Sequence, residues 1–146
     1  IISYVPQNTF LFDSSILNNI SFDFSREIKI NYEKINELVE QLSLNDKISS
    51  LKNGLNSNVG ERGVSLSGGQ IQRIGIARAL YKNPKILILD ESTNAIEKEI
   101  EKKVLKYLNS IKKEMIIILA AHRDSTFEFV DEILEINKGK LIKIKW

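Results

Sequence analysis

Two adjacent acids, Asp90 and Glu91, follow four apolar residues, Ile86 to Leu89, with no turn between them. A short unbroken apolar run reads as a strand buried on both faces, and ligands of open α/β sheets bind at the carboxyl ends of such strands. Carboxylates at that edge could hold a divalent cation or accept a proton from water. About twenty residues earlier the chain reads Ser67-Gly68-Gly69-Gln70. Ser67 can cap a helix, and two glycines let a ligand approach the backbone. Free amides and the helix dipole at such an end favour a phosphate group. The Ser-Gly-Gly triplet alone is equally what an ordinary capped helix looks like. His122, the single histidine, comes just past a second apolar run, Ile116 to Ala120. That places it at the same sheet edge as Asp90 and Glu91. Gln7 follows the strand-like stretch Ile1 to Val5 and Pro6, a weak signal by itself.

The elements that must position these residues are legible as periodicities. Asp13-Ser14-Ser15 can start a helix before Ile16, Leu17 and Ile20. From Tyr32 to Leu44, Ile35, Leu38, Val39 and Leu42 recur at the spacing of an amphipathic helix. Lys52 to Gly63 is rich in Asn, Gly and Ser and reads as loop. A helix opens at Ser67 and runs to about Lys82, with Pro84 just beyond. Another spans roughly Glu97 to Ile111, with Ile100, Val104, Tyr107, Leu108 and Ile111 on one face. Glu132 to Ile136 and Lys140 to Ile144 flank Asn137-Lys138-Gly139 as a hairpin. Apolar strands alternating with helices predict an α/β core whose sheet is buried on both faces. The stretch before Gly63 has no such strands and reads as a helical insert.

The full string Leu66-Ser67-Gly68-Gly69-Gln70, followed by Ile71-Gln72-Arg73 and Ile74-Gly75-Ile76-Ala77-Arg78-Ala79-Leu80, resembles the signature motif of the ABC ATPase family. Ile86 to Glu91 resembles the Walker B motif of that family. Tyr4-Val5-Pro6-Gln7, with Leu11-Phe12-Asp13 and Ile16 to Ile20, is similar to the Q-loop of its exporter members. Val59-Gly60-Glu61-Arg62-Gly63 looks like the short exporter loop that touches the membrane domain's coupling helices. The resemblance implies a P-loop NTPase-like core with a mostly parallel sheet plus a helical subdomain. The helical subdomain falls at about residues 8–75, and the catalytic α/β core at 1–7 and 76–146. By the same resemblance Asp90 holds Mg²⁺, Gln7 reaches Mg²⁺ and the attacking water, Glu91 is the general base, and His122 contacts the γ-phosphate. Ser67, Gly68, Gly69 and Gln70 then cover ATP bound by a second ABC ATPase domain in a head-to-tail dimer. The family's loop ending Ser-Ala-Leu-Asp reads Asn94-Ala95-Ile96-Glu97 here, so Glu97 keeps the carboxylate that links the two ATP sites, one methylene longer.

One family element is missing from these residues. A P-loop needs Gly, four residues, Gly, Lys, then Ser or Thr. None of the seven glycines begins that pattern. The chain is therefore expected to be a partial domain that starts inside a longer gene product and, alone, holds MgATP weakly and does not hydrolyse it. In the complete protein the expected role is ATP hydrolysis driving an exporter's transmembrane domain at the cytoplasmic face of the cell membrane. A soluble ABC ATPase of the DNA-repair or translation type, or a non-catalytic dimerisation module, is the alternative.

Composition bounds the rest. A net charge of +2, from 21 basic and 19 acidic residues, gives no reason to expect nucleic acid as a partner. The absence of cysteine excludes disulfides and thiolate chemistry, and one histidine excludes a multi-histidine metal site within this chain. The longest apolar run, Met115 to Ala121, is of strand length and too short to cross a bilayer.

Overall fold

The computed structural model describes residues 2–24, 29–60, 63–121 and 124–144. Strand β1 (Ile2–Val5) opens the chain. A two-residue strand, β2 (Ser14–Ser15), leads into α1 (Ile16–Ser21), where the Ser15 side chain accepts from the Asn18 amide as N-cap. Helix α2 (Tyr32–Gln41) is capped by Asn31 and buries Ile35, Leu38 and Val39. It stops three residues short of the expected Leu44, because Ser43 takes a left-handed backbone (φ 53°) that ends the helix. A short α3 (Asn45–Ser49) and a 3₁₀ turn (Gly54–Asn56) follow.

The expected loop from Lys52 to Gly63 contains a strand after all. β3 (Asn58–Val59) pairs antiparallel with β2, Ser14 opposite Val59 and Ser15 opposite Asn58. Two residues per strand, three of the four polar, leave no alternation for the sequence to display.

Helix α4 (Gly68–Tyr81) is the centre of the structure. Buried residues surround it rather than forming one stripe, so it serves as a core helix. Ile74, Ile76, Ala77 and Leu80 join the apolar cluster. Its two arginines, Arg73 buried and Arg78 half-buried, reach backbone carbonyls. Arg73 donates from Nε to Gly69 O (3.1 Å) and from Nη1 to Leu42 O (3.0 Å) at the end of α2. Arg78 donates to Phe10 O (3.0 Å), Asn19 O (2.7 Å) and Asn19 Oδ1 (2.9 Å). The fully buried Asn19 closes the same staple by pairing with both backbone groups of Phe12. Burial lowers the pKa of each guanidinium from its usual value, with Glu97 opposing the shift at Arg73.

β4 (Ile86–Asp90), α5 (Lys98–Ile111) and β5 (Ile116–Ala120) complete an α/β unit. The sheet is parallel, ordered β1-β4-β5, with Val5 opposite Leu89 and Asp90 opposite Ala120. A further 3₁₀ segment (Asp124–Phe129) precedes the antiparallel hairpin β6 (Ile133–Asn137) and β7 (Lys140–Ile144).

The sheet corrects one expectation. Val5, Leu87 and Leu89 on one face are buried in a cluster with residues of α4 and α5, including Val104, Leu105 and Leu108. The other face is open: Ile2 and Ile116 are each 62% exposed, Ile118 51% and Tyr4 56%. Among the described residues, the helices that pack on the sheet do so from one side only. An unbroken apolar run therefore marks a strand with two apolar faces, of which the described residues cover just one.

Candidate functional site

Of the residues singled out in the sequence, Gln7, Asp90 and Glu91 lie together at the carboxyl ends of β1 and β4. Val5 ends β1 beside Leu89, so the segment leaving β1 runs past the segment leaving β4. There Gln7 Nε2 donates to Glu91 Oε2 at 2.8 Å. Asn94 Nδ2 donates to the same oxygen at 3.0 Å. Glu91 has a left-handed backbone, φ 47°, a conformation that costs an ordinary L residue about 1–2 kcal/mol. Its amide donates to Ala120 O at 3.0 Å, anchoring that turn to the end of β5. The turn swings the chain out of the sheet directly after Asp90 and leaves the carboxylate of Glu91 facing Gln7.

Asp90 lies on the open face of the sheet. Tyr4, the last residue but one of β1, donates its hydroxyl to Asp90 Oδ2 at 2.7 Å. That hydrogen bond raises the tyrosine pKa above its usual value, because losing the proton would set two negative charges side by side. Tyr4 opens the Q-loop-like string Tyr4 to Gln7, but that resemblance assigned it no task; it shares a face of β1 with Ile2.

The Ser67 turn forms a complete capping box. Ser67 Oγ accepts from the Gln70 amide (3.2 Å), and the Ser67 amide donates to Gln70 Oε1 (2.9 Å). Ser67 and Gly68 are exposed and Gly69 is buried. The reason for glycine at 69 is contact. A Cβ there would lie 2.7 Å from Ala95 O, so only glycine lets α4 press against the loop that follows Glu91. The signature residues thus meet the site through the Ala95–Ile96 backbone. Glu97 stands exposed at the N-cap of α5, with no side-chain cap hydrogen bond.

Gln72, which no motif reading assigned a task, sits between these parts. It is buried, accepts from the Ala95 amide at Oε1 (2.9 Å) and donates from Nε2 to Gln7 O (3.3 Å). A polar residue two positions past a familiar motif gives no hint of long-range partners 23 and 65 residues away.

His122 lies outside the described residues, as do Glu61 and Arg62 of the loop between Val59 and Gly63.

The donor set suits Mg²⁺ in one particular way. Asp90 and Gln7 offer hard oxygens, as Mg²⁺ requires. Among the described residues, no three His, Cys, Asp or Glu side chains gather to hold a metal by themselves. Mg²⁺ sites of this kind use one or two carboxylates and take their remaining oxygens from substrate phosphates and water. Residues here therefore fit a cation that arrives with a phosphate ester. Among the described residues, no helix is long and apolar enough to cross a membrane.

Comparison with known proteins bears on the family and the fold. The family profile described as ABC transporter matches residues 1–94. An export ATP-binding/permease protein of Rickettsia typhi is 45% identical over 141 residues, covering 97% of this chain and 24% of that protein. The ATP-dependent lipid A-core flippase of Francisella tularensis is 41% identical over 142 residues, covering 97% of this chain and 23% of its own length. The structure of a bacterial Atm1-family ABC exporter with ATP bound superposes with a TM-score of 0.85 at 34% identity, again over 97% of this chain and 24% of that one. The chain thus spans about a quarter of the length of the relatives it matches. Fold, motif order and sequence agree, and the chain belongs to the ABC transporter family.

Proposed function

We propose that these residues form the later part of an ATP-hydrolysing domain that powers an ABC exporter. The observation that carries this reading is the contact of Gln7 with Glu91 at 2.8 Å, at the sheet edge where Asp90 also stands. Glu91 is a carboxylate with a fixed direction, held by Gln7 and Asn94 and aimed by its own left-handed backbone. A carboxylate so placed can take the proton of an attacking water. Gln7 keeps its carboxamide oxygen free of that contact, so it can orient the water or meet a cation while Nε2 holds Glu91. Bound MgATP supplies the phosphoryl group and the charge that Asp90 faces. His122 adds a contact to the terminal phosphate.

Ser67, Gly68, Gly69 and Gln70 serve a second copy of the domain, arranged head to tail, by covering the nucleotide held there. Glu97 helps join the two sites. The aromatic and apolar surface around Phe10 and Phe12, beside Val59 and Gly60, receives the coupling helices of a membrane domain. The working location is the cytoplasmic face of the membrane. The names of the relatives support export as the purpose, and the flippase makes a lipid one class of cargo to test.

The test is MgATP hydrolysis by the complete gene product that carries these residues. Wild-type protein turns over ATP, and Glu91→Gln lowers kcat by about a hundredfold or more, a range typical of a lost general base. The 146-residue chain alone serves as a control and shows no saturable MgATP binding by calorimetry, since it holds no P-loop lysine. Hydrolysis undiminished in Glu91→Gln refutes the assignment of the base.

A further inference from the structure

The contacts around Gln72 close a ring. Gln7 donates by its side chain to Glu91, and Asn94 donates to the same carboxylate oxygen. Ala95, next to Asn94, donates its amide to Gln72 Oε1, and Gln72 Nε2 returns to the carbonyl of Gln7. Two loops that leave different strands are therefore joined twice. One joint is the carboxylate of Glu91. The other is the carboxamide of Gln72, which is 6% exposed and projects from the first turn and a half of α4.

From this ring we propose that Gln72 is a positioning residue for the catalytic pair Gln7 and Glu91, fixing the spacing of the two loops that carry them. The assignment rests on the ATPase reading above. It needs a side chain with a donor and an acceptor on one planar head, because one loop presents a carbonyl and the other an amide. Glutamine meets that need without adding a charge beside the Glu91 carboxylate. The same head is rigidly tied to the partner-facing turn, because Gly69, three residues before Gln72, packs its backbone against Ala95 O. A displacement of the Ser67 turn is therefore transmitted to both loops at once. Gln72 in this way connects the residues that face a second domain with the residues that activate water in their own. Hydrogen-bonded networks of this kind are cooperative, so the loss of one member is felt at the others.

The experiment uses the complete gene product and three proteins: wild type, Gln72→Met and Gln72→Glu. Methionine keeps the length and removes both hydrogen bonds. Glutamate keeps the shape and the acceptor for Ala95, but turns an acceptor toward the Gln7 carbonyl. Steady-state ATP hydrolysis is normalised to nucleotide bound at saturation, which counts only folded sites. The expected result is a fall in kcat of about tenfold to a hundredfold in both variants, the scale of a small misplacement of reacting groups. KM for ATP stays within about twofold, as expected when only the transition state loses an interaction. A purely structural role lowers the number of binding sites and leaves kcat per site at the wild-type value. That outcome in either variant overturns the proposal. If Gln72→Met does not fold, Gln72→Glu carries the comparison, and Gln72→Asn, too short to reach both loops, replaces the missing variant with the same expected fall. Active wild type with unchanged variants removes the role of Gln72 and leaves the ATPase reading intact. Inactive wild type removes the ATPase reading and the role of Gln72 with it.

Discussion

The two faces of the β1-β4-β5 sheet are built from the same kinds of residue and meet opposite fates. Leu87 and Leu89 are fully buried against α4 and α5, whereas Ile116 and Ile118, one strand over, are more than half exposed. Both faces are apolar along most of their length. Only the open face ends in polar chemistry, where Tyr4 donates to Asp90. The closed face secures the fold, and the open face carries Asp90 at its end.

That contrast can be tested by substitution. Leu89→Ala removes a side chain with no exposure from the closed face. It is expected to cost about 2–5 kcal/mol in chemical denaturation, enough to threaten folding. A cost below about 1 kcal/mol would show that the closed face is not the structural one. Ile118→Ala makes the complementary cut on the open face. In the 146-residue chain the cost is expected to be about 0.5 kcal/mol, as for ordinary surface positions. In the complete gene product it rises toward the core range if that face is covered there. Equal costs in both would mean that the face stays open. The smallest effect is expected from Tyr4→Phe, which removes one solvent-exposed hydrogen bond and should leave the midpoint of chemical denaturation essentially where it is in the wild type. A large loss of stability from this variant would give the polar end of the open face a structural role that the contrast denies it.

Much of this arrangement was readable from the chain alone, for physical reasons that differ by element. Helix α4 and strands β4 and β5 were legible because capping chemistry and unbroken apolar runs are local signals. Ser67 does cap α4, and Glu97 does precede α5. Gln7 is a weak signal by itself, and only the family resemblance sets it beside Glu91. The contact between them is 84 residues apart in sequence and could only be expected by resemblance. What stayed hidden was set by tertiary contact. The β2-β3 pairing has too few residues to show a pattern. Tyr4 and Gln72 act through partners far along the chain. The open face was misread because hydropathy records how apolar a strand is, and says nothing of whether the chain supplies something to cover it.

The left-handed turn at Glu91 bears on how such a domain can change over evolutionary time. Few residue types accept that backbone comfortably, and glycine and asparagine are foremost among them. Replacing Glu91 by either would relieve the local conformation while deleting the carboxylate. If Glu91 is the base proposed above, a change that silences hydrolysis at this position also relieves the backbone, so folding by itself does not hold the glutamate in place.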